Sequence, residues 1–159
     1  MKIRIGQGID FHKLENGFPF WLGGIEIPSE KGCVAHSDGD VLIHAICDAL
    51  LGAAGLRDIG FYFPNTSNEY KGIDSKILLK KTHELVKETG FDIVNIDSAV
   101  CLEKPKISPY IPEMIKTIAQ VLSTECENIA IKATTTEKLG FIGREEGIAA
   151  FATVLISKR

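Results

Sequence analysis

Two short segments of this 159-residue chain concentrate side chains that bind metals. In the first, Ile3, Ile5, Ile9 and Phe11 alternate with Lys2, Arg4, Gly6, Gly8, Asp10 and His12. That period of two predicts a strand over residues 2–12, and positions i and i+2 of a strand share a face. Asp10 and His12 therefore project together. A carboxylate and an imidazole are two of the three ligands that a catalytic metal site with one open position requires; a polar face of a surface strand has the same look. The second segment is His36-Ser37-Asp38-Gly39-Asp40 with His44 and Asp48. Asp40, His44 and Asp48 are spaced by four and share one helix face. Val41, Leu42, Ile43, Ala45, Ile46, Ala49 and Leu50 make that helix apolar nearly all round, which predicts burial. A polar stripe on a buried helix must meet a partner, a ligand or a cavity, and His44 is the natural third metal ligand. The alternative is a solvated stripe with Ser37 as N-cap and Asp38 and Asp40 on the helix dipole.

Two further runs are polar enough for chemistry. Arg57 to Ser67 is a loop of turn formers with three aromatic residues, in which Asp58 could orient a substrate or serve only an ordinary turn. Lys132-Ala133-Thr134-Thr135-Thr136-Glu137-Lys138-Leu139-Gly140-Phe141 follows a predicted strand. Its hydroxyls and lysines suit phosphate oxygens, and a carboxylate beside them suits Mg²⁺; a polar strand edge is the structural alternative. Lys104-Pro105-Lys106 adds a rigid basic corner.

The elements that must position these residues follow from pattern. Residues 18–27 hold two apolar runs around Gly23-Gly24 and predict a hairpin. A helix is expected from Ser37 to Ala54 with Gly55 as its stop, a second from about Asp74 to Thr89 before Gly90, and a third from about Pro109 to Leu122. Strands are expected near 93–102, 128–135 and 147–156. The last is apolar on both faces, which suits a central strand and leaves one face needing an apolar partner, for which oligomerisation is a candidate. The order β, hairpin, α, α, β, α, β, β predicts an α+β fold, a small mixed sheet with helices on one face plus the hairpin, in one domain spanning 1–159.

Composition bounds the function. A hydrophobic share of 45% and a charged share of 25% describe an average globular domain. The net charge of −3 argues against nucleic acid as a partner. No apolar run approaches the length of a membrane span, and the N-terminus lacks the apolar stretch of a signal peptide, so a cytoplasmic protein is expected. None of Cys33, Cys47, Cys101 and Cys126 forms a C-x-x-C pair, so buried thiols in a reducing compartment are expected rather than a cysteine zinc site. P-loop, dinucleotide-binding, nucleophile-elbow and H-E-x-x-H motifs are absent.

Taken together, the runs around Gly6, Gly8, Asp10 and His12, Ala35 to Asp40 with His44, Asp48 to Ala54, Asp58 to Gly60, Phe63-Pro64, Asp74-Ser75, Pro105-Lys106 and Lys132 to Phe141 with Gly143-Arg144 and Glu146 to Ala149 resemble the 2-C-methyl-D-erythritol 2,4-cyclodiphosphate synthase family nearly end to end. The resemblance implies cyclisation of 4-diphosphocytidyl-2-C-methyl-D-erythritol 2-phosphate with loss of CMP, in the non-mevalonate isoprenoid pathway. It implies Asp10, His12 and His44 as zinc ligands, and Glu137 as the carboxylate that holds Mg²⁺ or Mn²⁺. His36 and Thr135 match positions that stabilise the transition state. Ser37, Asp58 and Gly60 match contacts to the methylerythritol phosphate half, Phe63 and Asn65 are expected among the further substrate contacts, and Lys106 and Thr134, with neighbours between 102 and 108, match the cytidine diphosphate pocket. The family forms homotrimers with active sites at subunit interfaces and sheets facing a central core. Phe141, Arg144 and Glu146 match positions near a central cavity that binds isoprenoid diphosphates in some members. Ile9 stands where the family usually has an aromatic residue, Asn65 where it often has Asp, and Gln7 where His is common. We expect Asp40 and Asp48 to accept hydrogen bonds from the ligand imidazoles. Two other functions share these residues: a zinc phosphohydrolase on the same triad, and a non-catalytic trimer that senses isoprenoid diphosphates.

Overall fold

The structure, a computed structural model, describes residues 2–159. The N-terminal alternation becomes β1 (Ile3–Asn16), followed by the hairpin β2 (Trp21–Leu22) and β3 (Ile25–Glu26) around Gly23-Gly24. β1 runs past residue 12 because its end pairs with a short edge strand, β4 (Lys31–Val34). Then come α1 (Val41–Ala54), the single turn α2 (Ile59–Tyr62), α3 (Ser75–Glu88), β5 (Phe91–Cys101), α4 (Ile111–Leu122), β6 (Ile129–Thr134), the single turn α5 (Gly140–Gly143) and β7 (Gly147–Lys158).

β4, β1, β7, β5 and β6 lie side by side in that order, and β7 is central as its apolar sequence predicts. All neighbours are antiparallel except β5 and β6, whose parallel pairing needs a crossover that α4 supplies. α1 packs on β1 and β7, and α3 and α4 continue the helical layer on that side. The expected mixed sheet with helices on one face and a separate hairpin is thus observed. Ile3, Ile5, Ile9 and Phe11 on the opposite face are 51%, 71%, 43% and 54% exposed.

Two glycines set how close α1 comes to the sheet. A Cβ on Gly6 would stand 2.0 Å from Ala49 O, and one on Gly8 would stand 1.9 Å from Ala45 O. Only hydrogen fits between these backbones, so the helix rides directly on β1. The glycines share the face of Asp10 and His12, and the contact places His44 of α1 above that pair.

The first helix starts at Val41 and not at Ser37. Its N-cap is Asp40, whose Oδ1 accepts from Ile43 N at 3.0 Å. Asp40 is fully buried and also accepts from Gly23 N at 3.0 Å and Gly24 N at 2.7 Å. This contact with the hairpin moves the cap three residues beyond the local Ser-x-x-Asp signal and leaves residues 36–39 as a loop.

Candidate metal centre

β1 and α1 bring together Asp10, His12 and His44, the three side chains read as candidate metal ligands. Asp10 Oδ2 lies 2.9 Å from His12 Nε2 and 3.1 Å from His44 Nδ1, and the two ring nitrogens are 3.2 Å apart. Ligands of a tetrahedral ion bound at about 2.0–2.1 Å stand roughly 3.3 Å from one another, so these donors converge as a metal site requires. They are the one such group among the described residues. Burial pushes the Asp10 carboxyl up, but hydrogen bonds and charge from His12 and His44 outweigh it and hold the pKa at about 2. The group is ionised at neutral pH, as a ligand must be.

The expected support from Asp40 and Asp48 is not what the structure shows. Asp40 is committed to three backbone N–H groups, and Asp48 Oδ1 accepts from Ile59 N at 2.7 Å, tying α1 to α2. Neither reaches an imidazole. A carboxylate four residues away on a helix is close enough in projection, but both are drawn off by backbone donors that sequence spacing does not reveal. His44 Nε2 instead meets Ser75 Oγ at 3.0 Å and Ser37 Oγ at 3.2 Å. Ser75 is fully buried at the start of α3, with Asp38 against it. Sequence reasoning assigned Ser75 no role, and the one signal available was its place in the Asp74-Ser75 run of the resemblance.

The triad borders a cleft of about 360 Å³ lined by His12, His36, Ser37 and His44 on one side and Gly60, Phe63, Asn65 and Tyr70 on the other. Most of the residues expected to contact the methylerythritol phosphate therefore do share one cavity. His36 Nε2 donates to Ser67 O at 3.0 Å, which fastens the loop side of the cleft. Asp58 stands outside it as the exposed N-cap of α2, accepting from Phe61 N at 3.0 Å, so the loop read over residues 57–67 contains a helical turn.

The remaining predicted residues lie elsewhere. Lys106, Thr134 and Thr135 border a second cleft of about 270 Å³ with Leu102, Pro105 and Ile107. Beyond it, Thr135 Oγ1 donates to the exposed Glu137 Oε1 at 3.3 Å, and Glu103 Oε1 accepts from Thr136 N and Lys138 N at 3.3 and 3.0 Å. Glu137 and Lys138 hold positive φ angles of 52° and 63°, and Glu103 braces that bend. Lys132 pairs with Asp97 on the open sheet face. Phe141 rests its ring 6.1 Å from that of Phe11, and Arg144 pairs with Glu146 at 3.1 Å.

A carboxylate and two imidazoles at the lip of a cleft, on this α+β frame, form a candidate metal site. The chain belongs to the YgbB family, whose model matches residues 3–157. It is similar to the 2-C-methyl-D-erythritol 2,4-cyclodiphosphate synthase of Bacteroides thetaiotaomicron, with 60% identity over 158 residues and 99% of each chain covered. Its fold resembles the CDP complex of Plasmodium falciparum IspF, with a TM-score of 0.87, 38% identity, and 99% of this chain and 97% of that one covered. It also resembles the bifunctional IspDF of Campylobacter jejuni, with a TM-score of 0.96 and 44% identity; 99% of this chain matches, spanning 43% of the bifunctional one.

Proposed function

We infer that this chain is a phosphorus–oxygen lyase that converts 4-diphosphocytidyl-2-C-methyl-D-erythritol 2-phosphate to 2-C-methyl-D-erythritol 2,4-cyclodiphosphate and CMP, in the non-mevalonate isoprenoid pathway. The observation that carries the reading is the convergence of Asp10, His12 and His44 beside the His36–Ser37 cleft in a chain of this family. An oxygen of the substrate's own 2-phosphate forms a bond to the β-phosphorus. The bond from that phosphorus to the oxygen bridging the α-phosphorus breaks, and CMP leaves with its electron pair. The nucleophile belongs to the substrate, so the protein needs no nucleophilic serine or cysteine, and catalysis rests on positioning and charge.

Zn²⁺ held by Asp10, His12 and His44, with Mg²⁺ or Mn²⁺ held at Glu137, would supply Lewis-acid polarisation of the diphosphate and offset the charge on departing CMP. His36, through the ring nitrogen that does not bond Ser67, and Thr135, once its hydroxyl turns from Glu137, would donate hydrogen bonds to the developing charge. Ser37, Gly60, Phe63 and Asn65 enclose the methylerythritol phosphate, with Asp58 at the rim. Lys106 and Thr134 hold the cytidine diphosphate in the second cleft.

Asp10 faces α1, and Ala150, Val100 and Ala133 continue its row across the sheet. Thr134 follows Ala133 on β6 and points to the opposite face. Three strand spacings of about 4.8 Å separate β1 from β6, roughly 14 Å in all. One chain thus presents the two halves of the substrate site on different faces. A homotrimer, with the apolar sheet faces inward and each active site shared between neighbours, brings them together and covers Ile3, Ile5, Ile9 and Phe11. An isoprenoid diphosphate would lie in the central cavity beside Phe141, Arg144 and Glu146. The reading is of a one-domain cytoplasmic enzyme; among the described residues no helix is long and apolar enough to cross a membrane.

Turnover in ¹⁸O-labelled water tests the reaction class. Cyclisation places no solvent oxygen in either product, whereas phosphohydrolase chemistry labels an acyclic phosphate and would overturn the reading.

A further inference from the structure

Ser75 Oγ is the closest polar atom to His44 Nε2, and it has one proton to give. That proton goes to Asp38 Oδ1, 2.5 Å away. Asp38 can only accept. Its Oδ2 takes the Ser75 backbone N–H at 2.7 Å and its Oδ1 also takes Asp40 N at 3.1 Å. With its proton spent on Asp38, the Ser75 oxygen offers lone pairs to His44, so Nε2 at 3.0 Å must be the donor. Ser37 Oγ, 3.2 Å from the same nitrogen, already accepts from Gly39 N at 3.2 Å and adds a second, weaker acceptor. The other carboxylates of the α1 stripe, Asp40 and Asp48, are occupied elsewhere.

We propose that Asp38 and Ser75 are positioning residues that fix the His44 ring with Nε2–H toward Ser75, which leaves Nδ1 as the ligand atom facing Asp10 and His12; without metal Nδ1 donates its proton to Asp10 Oδ2 at 3.1 Å, and metal binding would displace that proton. The polarity of the chain, carboxylate to hydroxyl to imidazole, decides which ring nitrogen serves as ligand. Ser75 and Asp38 touch neither substrate nor metal; they act through His44. The proposal rests on the metal reading of the triad. It also gives Ser37 a distinct part: with its oxygen accepting from Gly39 and His44, its hydroxyl proton is free to point into the cleft.

The test is Zn²⁺ titration of metal-stripped protein by calorimetry, alongside ¹⁵N NMR of the zinc-loaded protein. Ser75→Ala is expected to weaken Zn²⁺ binding 10- to 100-fold, the range for loss of a ligand's hydrogen-bond partner, while Ser75→Thr, which keeps the hydroxyl, stays within about threefold of wild type. Asp38→Ala frees the Ser75 proton to compete for Nε2 and weakens binding comparably. Added to Ser75→Ala it costs much less than it does alone, because the route through the Ser75 hydroxyl is already cut and only the hold of Asp38 on the Ser75 and Asp40 amides remains; merely structural losses would add in full. In wild type the His44 Nε2–H resonance is expected to exchange slowly with water, and in Ser75→Ala quickly. Unchanged affinity in Ser75→Ala, additive losses in the double variant, or a rapidly exchanging Nε2–H in wild type each overturn the proposal. If the alanine variants fail to fold by circular dichroism, the wild-type exchange rate decides alone. Wild-type protein that binds no Zn²⁺ would instead sink the metal reading beneath it.

Discussion

His44 carries more of the site than any other residue, because one ring joins the two segments that bear the ligands and a third that holds the ring. Removing it as His44→Ala should lower kcat by about 10³-fold or more. A bound metal contributes several kcal/mol of charge stabilisation, and each 1.4 kcal/mol is tenfold. Steady-state turnover at saturating Zn²⁺ measures this. The thiols make a contrasting prediction. Burial pushes Cys33 and Cys47 up to about 12, with nearby aspartates adding to it at Cys33, whereas Cys126 is exposed. Ellman's reagent at pH 8 should therefore modify Cys126 within seconds and leave Cys33 and Cys47 untouched until the protein unfolds. Because these folded-state values lie above the unfolded ones, the stability they confer is complete below about pH 9 and is lost as pH rises toward 12; urea midpoints across that window should fall. At this scale the sequence singled out Asp10, His12 and His44 as candidate ligands, which the structure brings together, and was silent about what holds them. Ser75 stands 31 residues from His44 on another helix, and no local period connects them.

At the scale of elements, the site depends on how closely α1 approaches β1. Gly8→Ala puts a methyl group where Ala45 O already sits. The helix must lift, which costs about 1–3 kcal/mol and lowers Tm by roughly 3–10 °C for a chain of this size. His44 rises with the helix, so Zn²⁺ affinity should fall in the same variant, and differential scanning calorimetry with and without Zn²⁺ would show a smaller zinc-induced shift than in wild type. Thr82 in α3 makes the opposite prediction. Its buried hydroxyl meets no nitrogen or oxygen partner among the described residues, only the weakly hydrogen-bonding Cys47 thiol, so Thr82→Val, of the same shape, should leave Tm nearly unchanged. Long periodic elements were readable: the three main helices and the central strand lie close to their predicted spans. The failures are tertiary. The Ser37 cap signal is real locally, yet Asp40 wins because the hairpin amides reach it. β4 has four residues and exists by pairing with β1, which alternation alone did not extend that far.

The whole molecule is organised by a sheet with one finished face. The helices bury one side, and the other presents Ile3, Ile5, Ile9 and Phe11 with Phe151 edge-on to Phe11 at 6.3 Å. A trimer of three 17.4-kDa chains would have a mass of about 52 kDa by analytical ultracentrifugation. On the proposed trimer with shared sites, Ile5→Asp, at the most exposed of these strand positions, should shift the population toward monomer and remove activity with it. A monomer with full activity would contradict the shared site. The two-sided hydrophobicity of residues 147–156 pointed to the uncovered apolar sheet face that the structure shows. The separation of the triad from Lys106 and Thr134 was not visible in the sequence, since it depends on strand order and on which face each residue takes.

The most direct test of the central claim is phosphorus NMR of the purified protein with 4-diphosphocytidyl-2-C-methyl-D-erythritol 2-phosphate, Zn²⁺ and Mg²⁺, beside His44→Ala. Conversion to a cyclic diphosphate and CMP by the wild type, lost in the variant, is the expected result. Unchanged substrate in the presence of folded, zinc-loaded wild-type protein, or full turnover by His44→Ala, would contradict it.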